Sequence, residues 1–201
     1  IGYMTLENNI LSVAQSAYSI SAQYVWKIAM LNNTITNPQV IRASYIISEC
    51  TIHDNSAKAL YGITNGYQFN CGNTYLKGNN IPAHMVVTAI GDCLIEDNQL
   101  VSVDGSQSTC TFYNNTFSGF GFFSAITSRT VVASGNTFSN GANVLSSFVS
   151  LLFENNTVHN VAVLFDVVGQ QKITLYLKGD AADLEKRRYY YAAYSTYDIY
   201  P

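Results

Sequence analysis

Charge is what this sequence has least of: Asp, Glu, Lys and Arg make up 11% of its 201 residues, against roughly 25% in an average globular chain. Ten Lys and Arg against thirteen Asp and Glu leave a net charge of −3. Phosphate neutralisation needs clustered cations, and the only basic cluster, "EKRR" at Glu185 to Arg188, is short and flanked by acid. Nucleic acid is therefore not expected as a partner. No apolar run approaches the roughly 18 residues of a membrane span, so no membrane insertion is expected. The opening "IGYMTLENN" lacks the charged and apolar regions of a secretory signal. It runs directly into a repeat, and the expectation is a mature or truncated piece of something longer.

With 48% hydrophobic residues and so little charge, the surface must be mostly neutral: Asn, Ser, Thr and Tyr. Asparagine, poor in both helices and strands, recurs in a fixed context. "LENNIL" at Leu6, "MLNNTI" at Met30, "DNQL" at Asp97, "FYNNTF" at Phe112, "SGNTF" at Ser134 and "FENNTV" at Phe153 share it. Aligned on Asn9, Asn33, Cys50, Asn73, Asn98, Asn115, Asn136 and Asn156, the steps are 24, 17, 23, 25, 17, 21 and 20 residues and average 21. That period points to a solenoid. The residue two beyond the aligned position is always apolar, and the one three before it is apolar except at Asn70. This is the alternation of short strands joined by Asn/Gly turns.

If each repeat is one coil, equivalent residues lie about 4.8 Å apart on neighbouring coils. A side-chain amide carries donors and an acceptor, so an Asn can bond the Asn above and the Asn below. Asn also tolerates the left-handed backbone of a tight corner. The expected ladder is Asn9, Asn33, Asn73, Asn98, Asn115, Asn136 and Asn156, interrupted at Cys50.

The "NNTF", "GNTF" and "ENNTV" motifs at this spacing resemble right-handed parallel β-helix repeats of the pectate-lyase-like superfamily, over roughly residues 4–178. The resemblance implies an all-β, right-handed parallel β-helix solenoid of about eight to nine coils over residues 1–178. "GDAADLEKRRYYY" reads as a helix start with Asp180 as N-cap, giving a short C-terminal helical cap and an extended tail over 179–201. In the tail, Tyr191, Tyr194, Tyr197 and Tyr200 recur every third residue, a period suited to a polyproline-like strand lying along a surface.

Enzymes of that superfamily carry paired aspartates, Gly-His-Gly or Arg-x-Lys signatures, or Asp clusters around calcium. None is present here. The acidic positions Glu7, Glu49, Glu96, Asp97 and Glu154 read as turn carboxylates, and of the histidines only His84 lies in a long excursion. No catalytic residue, metal or cofactor is expected.

Cys93 with Cys110, and Cys50 with Cys71, fall on successive coils as candidate disulfides, or as thiols filling the core; paired, they fit an extracellular protein. Asn32, Asn114 and Asn155 each begin an Asn-Asn-Thr glycosylation sequon. A nominally outward column containing Ile46, Phe69, Leu94, Val132 and Leu152 is apolar, and apolar patches mark contacts. The leading expectation is a non-catalytic extracellular structural or assembly module of a filament, coat or adhesin, at a cell or virion surface. Its partners would be copies of itself or neighbouring domains of a longer chain. A carbohydrate-active tailspike-like lyase or glycosidase fragment, or a glycan-binding module, is the alternative.

Overall fold

A computed structural model describes residues 2–11, 20–35, 41–57, 67–89, 91–106, 109–118, 124–139, 143–159, 163–167, 173–178, 188–191 and 197–200. Its strands, in chain order, are β1 (Tyr3–Glu7), β2 (Ile10–Leu11), β3 (Ile20–Gln23), β4 (Lys27–Leu31), β5 (Thr34–Ile35), β6 (Ile41–His53) and β7 (Ser56–Ala57). Then come β8 (Tyr67–Lys77), β9 (Asn80–Ala89), β10 (Cys93–Glu96), β11 (Gln99–Ser106), β12 (Cys110–Tyr113), β13 (Thr116–Phe117) and β14 (Ser124–Ser134). The last are β15 (Thr137–Ser139), β16 (Asn143–Glu154), β17 (Thr157–His159), β18 (Val163–Val167), β19 (Ile173–Lys178), β20 (Arg188–Tyr191) and β21 (Tyr197–Tyr200). Every pairing among them is parallel, which makes the protein an all-β parallel solenoid among the described residues.

The strands stack as three ribbons. The first runs β1, β4, the C-terminal half of β6, that of β8, β10, β12, the ends of β14 and β16, then β19 and β21. The second carries the short strands β2, β5, β7, β13, β15 and β17 together with the starts of β9 and β11. The third joins β3, the N-terminal halves of β6, β8, β14 and β16, the far ends of β9 and β11, and β18 and β20. A single coil cannot bury its apolar face; stacking buries it against the coils above and below.

Alternation decides what faces inward. On the first ribbon, one inward column reads Ile28, Cys50, Thr74, Cys93, Cys110, Val131 and Leu151, and the other reads Met30, Ile52, Leu76, Ile95, Phe112, Ala133 and Phe153, all buried. The second ribbon adds Ile35, Ile81, Leu100, Phe117, Phe138 and Val158. Phe117 and Phe138 stack with centroids 5.1 Å apart, and Phe138 lies 6.0 Å from Phe153. Each such side chain contributes about 1.5–3 kcal/mol by leaving water.

The corner between the first and second ribbons repeats one device. Asn8, Asn32, Asp54, Asp97, Asn114 and Asn155 have φ between 52° and 57°, and Gly78 and Gly135 occupy the same place at 63° and 68°. Only glycine and the short Asx residues enter this left-handed region readily. The next residue is always Asn: Asn9, Asn33, Asn55, Asn79, Asn98, Asn115, Asn136 and Asn156. From Asn9 to Asn136, each donates its backbone N–H and Nδ2 to Oδ1 of the Asn on the following coil. From Asn33 onward, Nδ2 also donates to a carbonyl of the preceding coil, for example Leu6 from Asn33 and Ile95 from Asn115. The buried amides are thereby satisfied without water.

The ladder corrects the sequence alignment at two places. Asn73 is half-exposed on the outer face, where its Oδ1 accepts the backbone N–H of Asp92. Cys50 lies within a strand, level with Ile28 and Thr74. The rungs there are Asn55 and Asn79, hidden from the Asn-Thr alignment because Ser56 and Asn80 follow them. The solenoid is most regular over about four turns, Asn79 to Asn156, with rungs 19, 17, 21 and 20 residues apart. That is fewer than the eight to nine coils expected. Earlier rungs are spaced at 24, 22 and 24 residues.

The C-terminal expectations change as well. Residues 179–187, where the helical cap was expected to begin, lie outside the described residues, as does Tyr194. Arg188–Tyr191 and Tyr197–Tyr200 are strands that pair with β18 and β19 in the same sheet. The three-residue tyrosine period therefore does not produce a polyproline-like segment there: pairing satisfies backbone groups that polyproline II leaves to water, and tyrosine suits a strand.

Candidate functional site

The outer face of the first ribbon carries one continuous column: Ala29, Thr51, Tyr75, Leu94, Thr111, Val132 and Leu152, in register from strand to strand. All are half-buried, and the register continues to Tyr176 and Tyr200. Leu94, Val132 and Leu152 thus lie together, as expected from the sequence. Ile46 does not: it is buried, at 3% exposure, because register shifts in β6 on both sides of it move it off the outer face. The side chains of Phe69, Tyr191, Tyr197 and Tyr200 lie outside the described residues. The sequence alignment missed Tyr75, since it had placed the Asn73 coil six residues out of phase.

Polar columns flank this stripe. On one side stand Lys27, Glu49 and Asn73. On the other run Glu7, Leu31, His53, Lys77, Glu96, Tyr113, Ser134 and Glu154. Lys27 pairs with Glu49, whose second partner is the Thr51 hydroxyl at 2.8 Å. The hydrogen bond from Lys27 holds the Glu49 carboxyl below its ordinary range, with partial burial opposing it and Thr51 adding to it. Lys77 pairs with Glu96 at 3.3 Å, and His53 Nδ1 lies 2.6 Å from its neighbour Asp54.

The acidic positions are divided between two strand columns and a corner. Glu7, Glu96 and Glu154 share one column but Tyr113 and Ser134 separate the last two, while Glu49 stands in another column and Asp97 occupies a corner. Among the described residues no three His, Cys, Asp or Glu are placed to hold a metal ion.

The cysteines divide. Cys50 and Cys71 form a disulfide with Cα atoms 6.0 Å apart, bridging residues 21 apart in sequence. Cys93 and Cys110 are opposite each other on β10 and β12, yet carry buried thiols and not a second disulfide. Their mutual hydrogen bond and burial push the Cys93 thiol well above its ordinary range. In-register neighbours on a flat parallel ribbon hold their Cβ atoms farther apart than a disulfide prefers. Cys50 and Cys71 escape this because they lie diagonally, Cys50 opposite Thr74 and Cys71 opposite Ile46.

The sequon residues Asn32, Asn114 and Asn155 are all exposed left-handed corner residues, immediately before a ladder rung. Asn32 Nδ2 donates to Asn8 Oδ1, and Asn114 Nδ2 to Asp97 Oδ1, each at 2.7 Å. They lie on one edge of the solenoid. No protein-family profile, curated protein or solved structure matches the chain.

Proposed function

We propose that the chain is a non-catalytic structural or assembly module, working at an extracellular, cell or virion surface as part of a filament, coat or adhesin. The observation that carries this reading is the outer column Tyr75, Leu94, Thr111, Val132 and Leu152, a largely apolar stripe along the sheet. Flat, regularly spaced apolar side chains suit a partner of the same repeat. The Cys50–Cys71 disulfide supports an oxidising compartment. The exposed corner positions of Asn32, Asn114 and Asn155 support glycans along one edge.

The corner motif supports membership of the right-handed pectate-lyase-like β-helices. Pairings of β1 with β4 at one end and β19 with β21 at the other extend the parallel stacking beyond the regular turns. A glycan-binding module is the second reading, favoured by Tyr24, held at φ 57° and 65% exposed, beside exposed Trp26.

Sedimentation velocity over a concentration series tests the first reading. The parent chain should associate, and Leu94→Lys combined with Val132→Lys should sediment as a folded monomer. A parent chain that stays monomeric at high concentration overturns it. Incubation with a polysaccharide panel tests the rivals: retention on one polysaccharide favours binding, and new reducing ends or unsaturated products favour an enzyme.

A further inference from the structure

One inward column of the first ribbon holds a run unlike the rest of the core: Cys50, Thr74, Cys93 and Cys110, in register on successive strands. All four are buried, between 0% and 4% exposed. Cys50 is bonded to Cys71. Cys93 and Cys110 stand directly opposite each other as thiols, joined by a hydrogen bond and not by a covalent one. Thr74 is the neighbour of Cys93 on its other side. Among the described residues, Thr74 Oγ1 is the one buried side-chain oxygen or nitrogen without a hydrogen-bond partner.

A buried hydroxyl left without a partner costs stability, and a hydroxyl donor beside a sulfur suits a state in which that sulfur is a thiolate. The strands set the spacing of the two sulfurs. A sulfur–sulfur bond is about 2 Å long, whereas neighbouring strands lie about 4.8 Å apart. Two thiolates on opposite sides of one ion, each at about 2.3 Å, stand roughly 4.6 Å apart. The register that disfavours a disulfide therefore suits one ion held between the sulfurs. The ligands select its class. Thiolates favour soft cations such as Cu(I), while calcium and magnesium take oxygen ligands. Zinc takes four ligands, and among the described residues no third His, Cys, Asp or Glu joins the pair. Ile95 and Phe112, two residues beyond the cysteines on the same inward face, are buried and keep the site apolar.

We propose that Cys93 and Cys110 bind one soft monovalent cation of the Cu(I) class, two-coordinate between their sulfurs, with Thr74 as the positioning residue that donates its hydroxyl to the Cys93 thiolate. Binding forms two metal–sulfur bonds and breaks two S–H bonds. Both protons leave to solvent and no electron is transferred. Two thiolates and one monovalent cation leave a single buried negative charge, and the Thr74 hydroxyl is the donor placed to stabilise it. The hydrogen bond between the thiols holds the two sulfurs side by side before the ion enters. The proposal uses no residue of the outer stripe, so it stands or falls apart from the assembly reading.

The test uses the full chain and Ag(I), a soft cation of the same charge that needs no reductant and so leaves the Cys50–Cys71 bridge intact. Silver nitrate in chloride-free buffer is added to the folded chain and, separately, during refolding from urea. Native mass spectrometry should then show one ion per chain with the loss of two protons. Cys93→Ser should lose that complex. Thr74→Val keeps the shape and removes the unpartnered hydroxyl, so it should raise the melting temperature of the metal-free chain. With thiourea as competitor the same variant should nevertheless bind Ag(I) about tenfold more weakly, as loss of a group behind a metal ligand does. A merely structural threonine would move only the melting temperature. Should Cys93→Ser fail to fold, the parent and Thr74→Val alone decide the matter. No complex in either preparation, a complex retained by Cys93→Ser, or equal affinity of Thr74→Val and the parent overturns the proposal. So does a second disulfide joining Cys93 to Cys110 in the isolated protein, which its intact mass reports.

Discussion

Asn55 donates both its backbone N–H and its side-chain Nδ2 to Oδ1 of Asn79, at 2.9 and 3.0 Å, across 24 residues of sequence. One oxygen thereby fixes the backbone and the side chain of the coil before it. The same two-donor contact repeats from rung to rung, so the corner is held by buried hydrogen bonds whose loss leaves donors without water or protein partners.

Replacing Asn115 with Leu should destabilise the protein by about 3 kcal/mol. The loss strands the buried Asn98 N–H and takes a donor from the carbonyl of Ile95, each such group costing about 1–3 kcal/mol, while Asn98 Nδ2 keeps the carbonyls of Leu76 and Glu96. Asn73→Leu, outside the ladder, should cost less than about 1 kcal/mol, as surface substitutions usually do. Urea unfolding of both variants checks the contrast; equal costs would remove the ladder as the source of stability.

Reduction of the Cys50–Cys71 bridge, or Cys50→Ala with Cys71→Ala, should lower stability by about 3 kcal/mol, the loop-closure value for a short loop. Intact mass with and without reductant reports the bridge, and denaturant melts report its contribution. Cys93 and Cys110 should resist alkylation in the native protein and react once it is unfolded.

Stability should fall with rising pH above about 8.5, the ordinary thiol value. The folded pKa of Cys93 is raised, so the native state holds its proton where the unfolded chain releases it. The contribution is complete below the unfolded pKa and is lost as pH rises toward the folded one. Cys93→Val should flatten this limb in melts taken from pH 7 to 10.

Gly78 and Gly135 should respond differently to substitution although both are left-handed corner residues. A Cβ at Gly78 would run into Oδ1 of Asp54, while at Gly135 the nearest atom is 3.9 Å away. Gly78→Ala should therefore cost about 1–2 kcal/mol through the left-handed backbone, and the exposed Asp54 carboxylate must swing aside. Gly135→Asn, the residue type at Asn114 and Asn155 in the same column, should be close to neutral. Thermal melts of the two variants give the comparison.

The sequence alone determined the coil, its inward columns and its corner chemistry. Asparagine followed two residues later by an apolar residue, at intervals near 21, is enough to place Asn33, Asn98, Asn115, Asn136 and Asn156 in one row, because alternation and the left-handed corner are local properties of the chain. Tertiary structure decided what local pattern cannot carry. It made Asn55 and Asn79 the rungs in place of Cys50 and Asn73, since a rung is defined by a partner some twenty residues away. It put Ile46 inside and Tyr75 outside, because shifts of register within β6 break the count from one corner to the next. It also joined Cys50 to Cys71 while leaving Cys93 and Cys110 as thiols. The sequence puts both pairs on successive coils, but a disulfide depends on where stacked backbones hold two Cβ atoms, and that distance exists only once the coils are closed.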